Sequence, residues 1–234
     1  MRLRLRGGNG AGPAPPRDSR DRAEARMLRL IRRHVRDRRV LDAMRAVPRD
    51  AFVPPGLRHQ AFEDGALPIG RGQTISQPLI VAMMTEAAAL DGDERVLEVG
   101  TGSGYQAAVL AYLAREVVTV ERVGALRRGA RATLRRLGVH NARCLSAGPV
   151  LGAPGDGPFD AIVVTAAAPE VPEALVRQLA DRGRLVIPVG RRTQQELLLV
   201  TRRGERLRRR SLGGCRFVPL LGPGGFSEED GGSS

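Results

Sequence analysis

Four short apolar runs constrain the fold of this chain more than any other feature. They occupy 95–99, 117–121, 160–166 and 184–189, each bounded by turn residues, and helical patterns at 104–114, 123–137 and 172–182 lie between them. A weaker run at 142–146 follows the second of these helical patterns. Strands buried on both faces alternate with helices when each helix carries the chain back across a parallel sheet. The last third breaks this rhythm: runs at 196–202, 207–212 and 216–221 follow one another with no helical stretch between them. They predict antiparallel strands added to one edge. The expected fold is α/β, a doubly wound and mostly parallel sheet with an antiparallel C-terminal extension.

Ahead of the sheet, residues 1–21 combine Gly, Pro and Arg and read as a disordered basic tail. Met27 opens the first helical pattern and is a candidate translation start, which would leave residues 1–26 untranslated. Leu30, Ile31, Val35, Leu41 and Met44 fit a helical face over 22–46, with a break near Asp37, and Pro48, Pro54 and Pro55 close that region. Residues 60–78 read as an ordered loop and 80–90 as a helix. One domain over 22–226 with an N-terminal helical cap is expected, followed by a flexible tail at 227–234.

The net charge of +13 raises the question of a nucleic-acid partner. Residues 1–40 hold 13 Arg against Asp18, Asp21, Glu24 and Asp37, so most of the excess lies at the N-terminus. Every basic residue is Arg and none is Lys, a bias of the coding sequence more than a selection for phosphate contacts. Aromatic residues make up 3% and are not interleaved with the arginines, which argues against base stacking. No run approaches the ~20 apolar residues of a membrane span, and the basic start leads into Gly and Pro, not into the apolar core of a secretory signal. A cytoplasmic, monomeric protein is expected. Cys144 and Cys215 are too few for a disulfide framework and read as inert thiols. His34, His59 and His140 have no metal-ligand spacing, and no metal is expected.

The strongest local signal is Val96-Leu97-Glu98-Val99-Gly100-Thr101-Gly102-Ser103-Gly104-Tyr105, a buried strand running through a glycine-rich turn into a helix. Glycine admits tight turns and close ligand approach because it lacks a Cβ. The spacing Gly100, Gly102, Gly104 departs from the G-x-G-x-x-G dinucleotide fingerprint, whose third glycine would fall at Tyr105. Glu121 ends the next strand, where a carboxylate can accept hydrogen bonds from both ribose hydroxyls. A purely structural βα turn is the alternative, weakened by the acids Glu98 before the turn and Glu121 after it.

The loop resembles the G-x-G-x-G turn of class I S-adenosylmethionine-dependent methyltransferases, whose Rossmann-like fold matches the predicted sheet. A second segment narrows the resemblance. Leu67-Pro68-Ile69-Gly70-Arg71-Gly72-Gln73-Thr74-Ile75-Ser76-Gln77-Pro78 is similar to the signature of the protein-L-isoaspartate O-methyltransferase family. Glu98 through Leu110 follows that family's loop and first helix, and Val47–Pro54, Pro158–Ala167, Val186–Gly190 and Arg216–Leu220 match in family order over roughly 27–221. The resemblance implies S-adenosyl-L-methionine as cofactor and isoaspartyl-containing proteins or peptides as partners, methylated as the first step of repair. It implies Ser76 as the active-site residue. The implied cofactor residues are Gln73, Thr74, Glu98, Gly100, Thr101, Gly102, Ser103, Gly104, Glu121 and Gly148. Ser76 has a second reading as a helix N-cap before Pro78. Two other functions stay open: tailoring of a dedicated peptide to an aspartimide, or a catalytically weak binding module.

The resemblance fails at one point. After the third strand the family has Gly-Asp-Gly, whose Asp reaches the adenine amino group; here Ser146-Ala147-Gly148 stands there, and Gly152-Ala153 replaces the family's Gly-Trp. Loss of that hydrogen bond costs on the order of 1–3 kcal/mol if nothing replaces it. Asp156, nearby in sequence, falls in a Gly/Pro loop. Activity with weaker cofactor binding is expected.

Overall fold

The computed structural model describes residues 17–227. A seven-stranded sheet runs in the order β5-β4-β3-β6-β7-β8-β9. Its strands are β3 (Arg95–Val99), β4 (Glu116–Glu121), β5 (Ala142–Ser146), β6 (Phe159–Val164), β7 (Leu179–Arg191), β8 (Gln194–Arg203) and β9 (Arg206–Cys215). The first five are mutually parallel, and β8 and β9 add antiparallel beyond β7. The fold class is therefore the one that alternating runs predict.

Helices α1 (Arg17–Ile31), α2 (Arg38–Ala46), α3 (Pro78–Ala88), α4 (Tyr105–Leu113), α5 (Gly124–Arg136) and α6 (Glu173–Arg177) cover the sheet. Leu97, Val99, Ile162, Val164, Leu185 and Ile187 are buried on one face, against Leu175 of α6. Val96, Val163 and Val186 are buried on the other, against Met84 of α3 and Leu110 of α4. Each such side chain contributes about 1.5–3 kcal/mol on burial.

Local chemistry sets the element ends. The break between α1 and α2 falls at Asp37, whose carboxylate accepts from Arg39 N–H at 2.8 Å as the N-cap of α2. At α3 the cap comes from a distance: Asp64 accepts from Leu79 N–H at 3.3 Å and from Gln77 Nε2 at 2.6 Å.

Four expectations change. Helix α1 begins at Arg17, inside the segment read as tail, because Arg20 forks onto Asp50 at 2.9 and 3.0 Å and stacks on the Phe62 ring; a Gly/Pro/Arg composition conceals such a tertiary anchor. Met27 is buried in the middle of that helix. The rest of both expected tails, 1–16 and 228–234, lies outside the described residues. The loop over 60–78 carries a hairpin of β1 (Leu67–Gly70) and β2 (Gln73–Ile75). The helix expected over 172–182 stops at Arg177, since Gln178 C=O accepts from Phe159 N–H at 2.8 Å and draws the chain into β7. Finally, 216–221 is no ladder strand. Pro219 has no N–H to give, and the segment instead crosses the end of β6, joined to it where Ala167 N–H donates to Val218 C=O and Leu220 N–H to Ala167 C=O.

Candidate active site

From β3 the chain goes outward to β4 and β5, then returns to place β6 on the other side of β3. Ligands of open α/β sheets lie at such a switch point, outside the carboxyl ends of the strands. A cleft of about 530 Å³ opens there.

The glycine loop forms its floor. Gly100 N–H and Thr101 N–H both donate to Val120 C=O, at 2.9 and 3.2 Å. Gly100 has φ +99°, and a Cβ on it would overlap Thr165 Oγ1, which donates to Gly100 C=O at 2.6 Å. Only glycine satisfies both conditions. Glu121, at the end of β4, clamps the turn by accepting from Gly102 N–H at 2.9 Å and Val123 N–H at 2.8 Å.

Beneath the loop lies a buried polar chain. Thr119 donates to Glu98 Oε2 at 2.5 Å, and its hydroxyl also meets that of Thr101 at 2.6 Å. Glu98 is completely buried, and burial pushes its carboxyl up to about 8, with the neighbouring Glu121 charge adding to the rise and the Thr119 bond opposing it. Its Oε1 has no hydrogen-bond partner among the described residues.

Ser76 directly follows β2 and also lines the cleft. It does not cap α3: Gln77 occupies the N-cap position without a cap bond of its own, and the side chain that reaches the helix start is Asp64. The turn is held instead by Arg49, which donates from Nη2 to Ser76 C=O and from Nε to Ala61 C=O, both at 2.7 Å. The Arg49 guanidinium lies 4.8 Å from the centroid of the Tyr105 ring, whose edge meets Phe52 at 5.5 Å. Burial lowers the pKa of this guanidinium, and it makes no ion pair among the described residues.

The cleft thus gathers Gln73, Thr74, Ser76, Glu98, Gly100, Thr101, Gly102, Ser103, Glu121 and Gly148, ten residues singled out by sequence from segments up to 75 positions apart. Gly104 is the exception. It does not line the cleft; with φ +89° it starts α4, and a Cβ there would come within 3.1 Å of Ala130 Cβ on α5. There it lets α4 pack closely on α5.

The family model described as "Protein-L-isoaspartate(D-aspartate) O-methyltransferase" matches residues 22–224. The chain belongs to this family. Relatives named protein-L-isoaspartate O-methyltransferase include one from Methanoregula boonei, 49% identical over 92% of this chain and 98% of its own. Another, from Aeromonas hydrophila, is 54% identical over 82% of this chain and 93% of its own. A solved protein-L-isoaspartate O-methyltransferase is similar at TM-score 0.77 and 28% identity, covering 86% of this chain and 67% of that one. A putative one from Plasmodium falciparum, in complex with S-adenosyl-L-homocysteine, is similar at TM-score 0.72 and 25% identity over 83% of this chain and 96% of its own.

Against the family pattern, Ala147 lines the cleft with its N–H donating to Glu121 C=O at 3.1 Å, and it offers no side-chain acceptor. Asp156 does not stand in: it pairs with Arg143 and lies outside the cleft. His34, His59 and His140 are exposed. Cys144 and Cys215 are half-buried thiols that burial pushes up to about 11. Among the described residues no group of three or more His, Cys, Asp or Glu is placed to hold a metal, and no helix is long and apolar enough to cross a membrane. Sequence reasoning missed Arg49 and Thr165. Both lie in family-like segments, but their tasks are contacts to backbone carbonyls far along the chain, which no residue pattern announces.

Proposed function

We propose that this chain is an S-adenosylmethionine-dependent methyltransferase that esterifies isoaspartyl carboxylates of damaged proteins or peptides. The observation that supports this best is that one cleft is lined by both the glycine loop, with Glu98 and Glu121, and the Ser76 turn. The cleft fits the cofactor by its chemistry. The glycine loop presents its backbone to the cleft without side-chain bulk at Gly100 and Gly102, and Glu121 ends β4 beside it. Gly100 to Ser103 would hold the cofactor's amino-acid end, and Glu121 would receive the ribose hydroxyls on its remaining lone pairs.

The cofactor supplies an electrophilic methyl group on a sulfonium, an excellent leaving group. An isoaspartyl carboxylate is already an anion, so the protein has no proton to remove and needs no general base. Its task is orientation, which contributes up to ~7–11 kcal/mol in favourable cases. The Ser76 hydroxyl has no partner among the described residues and can donate to one carboxylate oxygen, leaving the other to attack. Arg49 fixes the backbone that carries this hydroxyl. Clients are flexible segments, because a backbone displaced into a side chain must enter a cleft; the protein acts as a monomer in the cytoplasm, without a nucleic-acid partner.

The test is Ser76→Ala. This reading expects kcat on an isoaspartyl peptide to fall by about 10–100-fold, the effect of one or two hydrogen bonds to a charged group, with S-adenosylhomocysteine affinity held within twofold. A variant with full kcat would remove Ser76 from the mechanism.

A further inference from the structure

Arg71 sits at the tip of the β1–β2 hairpin, exposed, and lines the mouth of the cleft. Gly70, Arg71 and Gly72 have φ of +88°, +56° and +69°. Three consecutive residues in the left-handed region make a tight reversal, and the middle one is an arginine where glycine or asparagine is the relaxed choice. The strain is local and the side chain is not buried, so core packing does not account for it.

Charge in the cleft supplies a reason. Its other ionisable lining residues are Glu98, which burial keeps neutral, Glu121 and Arg122. Both acids belong to the loop wall, and Arg122 is engaged in an interaction of its own. Arg71 has no hydrogen bond or ion pair among the described residues, so its guanidinium is the lining cation left for a ligand. Ser76 directly follows the second strand of this hairpin, and β2 rises ~3.3 Å per residue between them. A client extended along the hairpin with its reacting carboxylate at Ser76 would bring a residue about three to five positions away to the tip.

We propose that Arg71 forms a client subsite for an acidic side chain flanking the isoaspartyl residue at that separation. This rests on the methyltransferase reading above and adds a preference to it: damaged segments with a second acid are methylated faster.

The experiment uses isoaspartyl peptides with one Glu placed in turn at each of five positions on either side, each paired with a Gln control. kcat/KM is measured for the full chain and for Arg71→Gln, with active-site concentration fixed by S-adenosylhomocysteine titration. For the unaltered chain, Glu should exceed Gln by about two- to fivefold at one or two positions, as for an exposed ion pair, and the advantage should shrink with added salt. The ratio should fall to about one in Arg71→Gln and survive in Arg71→Lys. Equal Glu-to-Gln ratios in the unaltered chain and Arg71→Gln at every position would overturn the subsite. Absence of methylation on every peptide would overturn both the subsite and the function on which it rests.

Discussion

Glu98→Gln separates the charge of the buried acid from its shape. The carboxyl is fully buried and is raised from an ordinary 4.5 to about 8. Its folded-state pKa lies above its unfolded one, so between pH 4.5 and about 8 the unfolded chain loses this proton and the folded chain keeps it. Stability from this group is therefore complete below pH 4.5 and is lost as pH rises toward 8. Each unit of difference is worth ~1.4 kcal/mol, so the loss between pH 5 and pH 8 is on the order of 3–4 kcal/mol. Gln keeps an oxygen for the Thr119 hydroxyl and has nothing to ionise. The assay is thermal melting of both proteins by circular dichroism at pH 5, 6, 7 and 8. The difference between them should grow in favour of Glu98→Gln as pH rises, reaching ~10 °C at pH 8 for a domain of this size. Other titrating groups cancel in that difference. A gap independent of pH would refute the assignment of Glu98 as a neutral buried acid.

Three further perturbations follow from the same geometry. Gly100→Ala places a Cβ on Thr165 Oγ1 at φ +99°, so S-adenosylhomocysteine binding should weaken at least 100-fold by calorimetry, on the order of 3 kcal/mol, while the far-ultraviolet spectrum stays native. Ala147→Asp restores an acceptor at the cleft wall after β5 and should tighten the same ligand by about tenfold, or ~1.4 kcal/mol; an unchanged affinity would mean that the nucleobase does not reach this wall. Arg49→Met removes two bonds to backbone carbonyls and leaves Ala61 and Ser76 C=O unpaired, which should lower stability to urea by ~2–4 kcal/mol.

The sheet was legible because its information is local. The run at 95–99 needs no knowledge of its neighbours to read as a strand, and a chain that alternates such runs with helices has few topologies open to it. The loop was legible for the same reason, since Gly100 and Gly102 must tolerate positive φ wherever the turn sits. What escaped depends on residues meeting across long separations. Asp64 caps a helix 15 positions away, Arg20 anchors a supposed tail to Asp50, and Phe159 captures Gln178 and ends α6 early. Gly104 carries a similar lesson: a residue type that suits a ligand loop also suits close helix packing, and its contact with Ala130 is invisible in the spacing of the repeat. The hairpin over 67–75 escaped because each of its strands is four residues or fewer, below the length at which alternation is readable.

The most direct test of the account is transfer of a radiolabelled methyl group to paired peptides that differ only in an isoaspartyl or an aspartyl linkage. The account predicts base-labile label on the isoaspartyl peptide alone. Equal incorporation into both, or into neither, would contradict it.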